Sequence, residues 1–209
     1  MRNRIGSAIL MLSALASILV LACSSVPETH YYTIGRIVPE AGTYGQRLDY
    51  SVGVPQFEAE GIYARDNLLY RSGNYEISAD YYRRWGVPPQ KMLAEATVAY
   101  LRKSELFAEV RRMPTMSRTD LVLSGRILQF EELAGPTGPA VRMDLEFSLQ
   151  FARGSERIWF DEVSATSPIT VPQSAEAVVA AVENCVRTCL DQALRSLARA
   201  SSKLGSPAK

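Results

Sequence analysis

Apolar and polar residues alternate with a period of two over several short segments of the chain, which is the pattern of half-buried β-strands. The clearest case is Arg142–Phe151, where Met, Leu and Phe residues alternate with polar residues. Alternation bounded by Gly, Pro, Asn and Ser predicts seven or eight strands, at Tyr31–Val38, Asp49–Val54, Leu68–Arg71, Tyr75–Tyr82, Ala108–Met113, Leu121–Glu132, Arg142–Phe151 and Glu156–Val163. Hairpin turns are predicted at Ser72–Asn74 and Gly135–Pro139, and a β-bulge is predicted near Gly125.

Two other segments show the helical period. Pro88 and Pro89 begin the first helix, which is predicted to end near Lys103, because Pro is tolerated in the first turn. The second helix is predicted over about Ala175–Ala200, with Ser174 as its N-cap. The predicted inward stripes are Leu93, Ala96, Thr97, Tyr100 and Leu101 on the first helix, and Val178, Val182, Val186, Cys189, Ala193 and Leu197 on the second. Two helices among these strands predict an α+β fold: a single domain with a mixed, mostly antiparallel sheet and both helices packed on one face.

Residues 1–22 have the layout of a secretory signal peptide. Arg2 and Arg4 precede an uncharged apolar run that is too short and too rich in Gly and Ser for a membrane span. The run ends in Val20-Leu21-Ala22-Cys23, which resembles the lipobox of bacterial lipoproteins. The resemblance implies cleavage before Cys23 and acylation of that residue. The alternative is an ordinary thiol that follows a conventional cleavable signal.

The segments around this leader give the predicted domain organisation. Residues 23–30 are predicted to be the lipidated Cys and a short tether, residues 31–200 one domain, and residues 201–209 a flexible tail. Ser24 stands where an Asp usually retains a lipoprotein of Gram-negative bacteria at the inner membrane. The prediction is therefore a protein held by lipid at the periplasmic face of the outer membrane.

Charge and composition exclude several classes of function. The 23 Lys and Arg against 22 Asp and Glu argue against a nucleic-acid-binding protein, which normally shows a basic excess. Removing residues 1–22 leaves 23 − 2 = 21 basic residues against 22 acidic ones, so the membrane contact is expected to come from the anchor. One His and three Cys leave little material for a metal site or a His-based catalytic centre. No metal and no cofactor other than the covalent lipid on Cys23 is predicted.

Cys185 and Cys189 are four residues apart on the second predicted helix, so they share one face. Three interpretations stay open: packing of two small apolar thiols against the sheet, a disulfide or intermolecular bridge, and a copper site. An intrahelical disulfide requires closer Cβ atoms than this spacing provides. Packing is the favoured interpretation.

Paired acids are the remaining candidates for catalysis. Glu131-Glu132 and Asp161-Glu162 lie in predicted strands, where neighbouring side chains point to opposite faces, so neither pair can share one site. His30 lies in the predicted tether, which is a poor position for a general base. No nucleophile elbow, P-loop or dinucleotide-binding motif occurs in the sequence. No catalytic residue is predicted.

The aromatic cluster at residues 81–85 is the candidate recognition surface. Tyr, Trp and Arg are the residue types enriched at interaction hot spots, and they follow one another as Tyr81, Tyr82, Arg83, Arg84 and Trp85. These five residues are predicted to bind a partner. The alternative is that alternate members face the core, with Tyr81, Arg83 and Trp85 on one face and Tyr82 and Arg84 on the other.

Several short motifs occur together in this order: Cys23, Tyr31-Tyr32-Thr33-Ile34, Val52-Gly53-Val54-Pro55-Gln56-Phe57, Leu69-Tyr70-Arg71, Tyr82-Arg83-Arg84-Trp85, Pro88-Pro89, Tyr100-Leu101, Leu106-Phe107, Gly125-Arg126-Ile127 and Phe130-Glu131. In order and spacing this set resembles the ABC-type transport auxiliary lipoprotein component family. Such lipoproteins accompany transporters with mammalian cell entry (MCE) domains, of the paraquat-inducible and Mla-like type. The resemblance covers Cys23 to about Leu197.

The resemblance implies a non-enzymatic partner of a machine that moves phospholipids or other hydrophobic molecules between two membranes. An MCE-domain protein would supply the conduit, and this lipoprotein would dock it at the outer membrane. A ring of copies would suit docking around a conduit, so homo-oligomer formation is left open. The alternative function is a structural or assembly lipoprotein for an outer-membrane protein or an envelope polymer.

Overall fold

The computed structural model describes residues 27–39, 44–135, 138–154, 156–170 and 174–201. The predicted signal peptide, the lipidation at Cys23 and residues 202–209 of the predicted tail lie outside these ranges. The described chain contains nine β-strands: β1 (His30–Tyr32), β2 (Leu48–Val54), β3 (Glu58–Ala59), β4 (Asn67–Ser72), β5 (Glu76–Trp85), β6 (Phe107–Arg112), β7 (Leu121–Gly135), β8 (Gly138–Phe151) and β9 (Arg157–Pro168). Its helices are α1 (Pro89–Ser104), α2 (Ala175–Ser201) and a short 3₁₀ helix (Gly61–Ala64). The predicted α+β class is confirmed.

All nine described strands belong to one mixed sheet that is organised around β7. Along one side, β7 pairs in parallel with three earlier strands, with β2 at Leu121, β3 at Arg126 and β4 at Glu132. Along its other side β7 forms an antiparallel ladder with β8, and β8 pairs antiparallel with β9. β6 extends the sheet beyond β2, while β5 and then β1 extend it beyond β4. The longest ladders are therefore antiparallel, as predicted.

The predicted bulge in β7 lies three residues further along than expected. The β7–β8 register shifts between Ile127 and Gln129, whereas Gly125 stays in register with Phe147. Gly125 keeps the inward alternation of β7 and is buried. Glycine at this position leaves room for the Phe57 ring, because a Cβ on Gly125 would lie only 2.5 Å from the nearest atom of that ring. The Phe57 ring packs edge-on against Phe147, with ring centroids 5.7 Å apart.

Replacing Gly125 by alanine is expected to destabilise the protein by about 1–3 kcal/mol, which is the usual cost of overpacking a core. The added methyl group would overlap the Phe57 ring, which is itself confined by Phe147. Urea denaturation measures the free energy of unfolding. The double variant Gly125→Ala with Phe57→Leu is the control, and we expect it to be more stable than the sum of the two single effects. Strict additivity would contradict this account.

Local residues explain where both helices begin and where α1 ends. Pro89 is the first residue of α1, and the helix ends at Ser104, which is followed by Glu105 with a left-handed φ of 53°. Arg102 and Lys103 lie in the last turn, where the helix dipole favours cations. At the start of α2, the Ser174 hydroxyl accepts a hydrogen bond from the Ala177 N–H at 3.2 Å, which confirms the predicted N-cap.

The apolar stripes of both helices pack against the sheet. All the stripe residues predicted from the helical period are buried. The Tyr44 hydroxyl lies between the helices: it is 3.0 Å from the Tyr100 hydroxyl of α1 and donates to Asp191 of α2 at 2.8 Å. Asp191 also pairs with Arg195, which lies four residues further along α2, at 2.7 Å. A polar contact thus joins two elements that otherwise meet mainly through the sheet.

Strand β1 is shorter than predicted. It covers His30–Tyr32 and not Tyr31–Val38, because its partner β5 ends at Trp85 and offers no further backbone to pair with. Gly86 donates its N–H to the Tyr32 carbonyl at 2.7 Å and closes the pair. His30, which was assigned to the tether, is instead the first residue of this strand.

Candidate functional site

The predicted recognition residues lie on a bulge in β5. Leu69 of β4 pairs with Ala79 of β5, but Asn67 pairs with Arg84, so four residues of β5 stand opposite one residue of β4. The carboxylate of Asp80 holds the extra residues by accepting the N–H groups of Tyr82 at 2.8 Å and Arg83 at 2.9 Å. Asn67 donates its side-chain amide to the Asp80 carbonyl at 2.8 Å. The bulge is therefore a bonded structure with a defined shape.

The bulge presents tyrosine rings to solvent. Tyr81 is 76% exposed and Tyr82 is 41% exposed. On the neighbouring strand β1, Tyr31 is 64% exposed and pairs in register with Arg84. We define Tyr31, Tyr81, Tyr82 and Arg84 as the aromatic surface. Tyr31 belongs to it only through the β1–β5 pairing, which the sequence pattern did not indicate.

Trp85 is not part of this surface. It is 3% exposed and stacks on Phe130 of β7, with ring centroids 5.4 Å apart. The regular register resumes after the bulge, and this turns the Trp85 side chain into the core. The predicted alternation is therefore partly right: Trp85 faces inward, whereas Tyr81 is the most exposed of the five residues because the bulge breaks the alternation before Arg83.

The two arginines of the cluster are both paired. Arg83 lies 2.7 Å from Asp80 and 3.4 Å from Glu132, with about a quarter of its side chain exposed. Arg84 lies 3.6 Å from Asp66 at the surface. The structure thus brings the two tyrosines and Arg84 together at the surface, pairs Arg83 with the half-buried Asp80 and the buried Glu132, and places Trp85 in the core. Partner binding by this group stays a prediction.

Acidification is expected to weaken the bulge. Burial alone would raise the pKa of Asp80, but hydrogen bonds from the Arg83 side chain and from the N–H groups of Tyr82 and Arg83 outweigh it and lower the pKa. The Asp80 carboxylate therefore contributes stability above its unfolded pKa of about 3.9, and this contribution is lost as the pH falls through the lower folded pKa. The difference in free energy of unfolding between the parent and Asp80→Asn is expected to shrink on acidification from neutral pH. A difference that does not depend on pH would contradict this.

A second cluster of polar side chains, which was not predicted, surrounds two glutamates of β7. Glu131 and Glu132 are both buried, and their side chains contact different partners, as expected for neighbours in a strand. Glu131 pairs with Arg71, Nε to Oε1 at 2.6 Å, accepts the Tyr63 hydroxyl at 3.2 Å and contacts Gln129. The sequence did contain a signal for this cluster: two acids end an apolar predicted strand, Arg71 ends another, and Arg83 directly follows a third.

Arg71, Arg83, Asp80 and Glu132 line a cleft between the β4–β5 hairpin and the β7–β8 pair. Its volume is about 320 Å³, and Tyr70 and Pro139 lie at its sides. Each arginine of the cleft is already paired with a carboxylate. Each cation of the cleft therefore has a counter-charge within the fold, and these ion pairs connect the surrounding strands.

Cys185 and Cys189 lie inside the helix–sheet interface. Both thiols are free and buried, and their sulfurs face the backbone carbonyls of Val141 at 3.5 Å and Met143 at 3.8 Å. Burial raises the pKa of Cys185 to about 12 and also raises the pKa of Cys189, with smaller contributions from Cys185 and Asp144. The structure supports the packing interpretation. Within the described ranges, no three His, Cys, Asp or Glu side chains are grouped to hold a metal ion.

These two thiols are expected to resist alkylation in the folded protein at pH 8. The thiolate is the reactive form, and burial holds the pKa of both thiols well above this pH. Peptide-resolved mass spectrometry after iodoacetamide treatment measures the modified fraction. The same protein in urea is the control, and both residues should then be modified fully. Rapid modification of the folded protein would show that the interface opens.

None of the described helices combines the length and the apolarity that a membrane span requires.

Comparisons with known proteins connect this architecture to a family. The profile of the ABC-type transport auxiliary lipoprotein component family matches residues 32–193. Protein XCC0632 from Xanthomonas campestris, described as a DUF330 structure, has a similar fold, with a TM-score of 0.73 at 16% identity over 83% of this chain and 98% of that one. A solved structure of an uncharacterised protein has a TM-score of 0.60 at 13% identity, covering 82% and 97% of the two chains. No curated protein matches the sequence. The family match spans most of the domain, from β1 into α2, and the chain therefore belongs to the ABC-type transport auxiliary lipoprotein component family.

Proposed function

We propose that this protein is a non-enzymatic auxiliary lipoprotein, anchored through acylated Cys23 at the periplasmic face of the outer membrane. There it docks the MCE-domain conduit of an ABC-type system for phospholipid transport between the two membranes. The observation that carries the proposal is the family match over residues 32–193. The leader ending in Val20-Leu21-Ala22-Cys23 supports the anchor.

The topology gives the domain two ends. β1 runs parallel to β5, β5 antiparallel to β4, and β4 parallel to β7. β1 is therefore antiparallel to β7, and the chain enters β1 from the end of the sheet towards which β7 runs. We call this end of the sheet the tether end. At about 3.3 Å per residue, β7 extends about 45 Å away from it.

The loop 113–120, which connects β6 to the start of β7, lies at the opposite end. We call it the far loop. Asp120 fixes it by accepting the backbone N–H of Ser51 at 2.8 Å and the Ser51 hydroxyl at 2.6 Å. Met116 in this loop is fully exposed. A conduit that approaches from the periplasm would meet this end of the domain, and we propose the far loop as the docking contact because of the exposed Met116.

The polar groups of the described core support a role without catalysis. Arg71 and Arg83 pair with the buried glutamates of β7, and Asp80 bonds the bulge. The two buried thiols pack against the sheet. Each of these groups has a partner that explains its position in the fold.

Site-specific photo-crosslinking in the native envelope tests the proposal. The full-length protein carries a photoreactive residue at Met116, and mass spectrometry identifies the captured proteins. Tyr75 is the matched control position, because it is 97% exposed at the tip of the β4–β5 hairpin, near the tether end. We expect an MCE-domain protein to be captured from Met116 and not from Tyr75.

Each other result has a definite meaning. Equal capture of the MCE-domain protein from both positions would contradict the proposed orientation but keep the partner. Capture of an outer-membrane barrel or a wall-associated protein would instead favour an assembly lipoprotein.

The variant Cys23→Ser tests the anchor, and it is expected to lose incorporation of labelled palmitate and to leave the membrane fraction.

A further inference from the structure

The aromatic surface lies where the tether enters the domain. His30 begins β1 and pairs in register with Arg83, which directly follows Tyr81 and Tyr82 in β5. The chain that comes from Cys23 therefore reaches the sheet beside these two rings. Tyr31 is the next residue of β1 and is itself exposed.

The covalent chain between Cys23 and His30 is short. The seven residues from Ser24 to His30 span at most about 25 Å when fully extended. A folded domain of this size has a radius of gyration of about 15 Å and is roughly 40 Å across. An anchor at Cys23 thus keeps the tether end near the bilayer, and the aromatic surface with it.

The chemistry of the aromatic surface suits the interface between lipid and water. A tyrosine ring is apolar along its body and polar at its hydroxyl, and tyrosines are enriched at the headgroup level of membranes. The cations around the rings are paired, Arg84 with Asp66 and Arg83 with Asp80 and Glu132. The surface therefore has little net charge with which to select anionic lipid.

We propose that Tyr31, Tyr81 and Tyr82 insert into the headgroup region of the membrane that holds the anchor, and so fix the orientation of the domain on the bilayer. This inference rests on the acylation of Cys23 in the proposed function. It gives the residues 81 and 82 a lipid partner in place of the protein partner predicted from sequence. The Asp80 bulge is the device that projects the two rings.

Fluorescence quenching by lipid tests this contact. The full-length lipidated protein is reconstituted into vesicles of phosphatidylethanolamine and phosphatidylglycerol, with or without phosphatidylcholine brominated near the glycerol backbone. Tyr81→Trp places a reporter on the aromatic surface. Phe160→Trp is the matched control, because Phe160 is also aromatic and exposed, and it lies on β9 in register with Ser148, towards the far end of β7. The native Trp85 and Trp159 are 3% and 6% exposed, and the unsubstituted protein measures their background.

We expect brominated lipid to remove several-fold more emission from Tyr81→Trp than from Phe160→Trp, with no change when salt is added. Flotation of the vesicles is measured first. Protein that does not float contradicts the lipid anchor, and with it the proposed function itself. Protein that floats and shows equal or no quenching at the two positions overturns only this inference. Capture of a protein through a photoreactive residue at Tyr81, without quenching, would return the aromatic surface to a protein partner.

Discussion

Replacing Arg71 by alanine is expected to destabilise the protein by about 3 kcal/mol, because it leaves a buried carboxylate without its counter-charge. The Glu131 side chain is completely buried, and Arg71 contacts both of its oxygens, at 2.6 Å and 3.1 Å. The Tyr63 hydroxyl and Gln129 remain in place but carry no charge. Urea denaturation followed by circular dichroism measures the loss in free energy of unfolding.

Two variants separate the buried charge from the ion pair as such. Glu131→Gln removes the charge that cannot reach water and leaves Arg71, which is partly exposed and can be hydrated, so its cost is expected to be smaller. Arg126→Ala breaks an exposed pair with Glu58, and no resolvable change is expected. Equal losses for Arg71→Ala and Arg126→Ala would show that burial of Glu131 does not govern the effect.

Replacing Trp85 by alanine is expected to cost about 3–5 kcal/mol of stability, the usual range for removing a large buried aromatic side chain. The Trp85 ring is buried against Phe130 at the point where β5, β4 and β7 come together. The variant would lose the stacked contact and leave a cavity beside the buried Glu132. Thermal and urea denaturation both measure this loss.

Tyr81→Ala is the matched control, because it removes an aromatic ring four residues away that is 76% exposed. Its effect on stability is expected to be within about 0.5 kcal/mol. Trp85→Phe keeps an aromatic ring over Phe130 and is expected to fall between the two. If Trp85→Ala left the fold as stable as Tyr81→Ala does, the assignment of Trp85 to the core would be wrong. A binding defect measured for Trp85→Ala therefore requires a stability measurement before it is assigned to an interface.

Much of this fold could be predicted because its longest elements have simple patterns. The alternation in Arg142–Phe151 predicted β8, since every second residue from Met143 to Leu149 is apolar and buried. The helical stripes predicted α1 and α2, because both helices bury one face and expose the other. The hairpin at residues 72–74 followed from turn residues that permit its backbone.

The remaining features depend on pairings between distant segments. β3 has two residues, too few for any period, and it exists because it meets β7. The position of the β7 bulge depends on the register with β8. The bulge was predicted at Gly125 because it is a glycine, but this glycine instead leaves room for the Phe57 ring. At the candidate site, the sequence pattern identified the aromatic and arginine residues but did not predict which of them are exposed. A four-residue bulge held by Asp80 decides which rings reach solvent, and no alternation rule includes it.

The position of β7 in the sheet also sets the order in which the chain can fold. β2, β3 and β4 all pair with β7, which is formed by residues 121–135 in the second half of the chain. Until β7 is available these earlier strands have no common partner, although β4 can pair with β5 and β2 with β6. Pairing between segments this far apart in sequence slows folding and prolongs exposure to aggregation. We therefore expect the chain to be most prone to aggregation before residue 135 is available, and a destabilising change in β7 to lower the yield of folded protein more than the same change in β9 does.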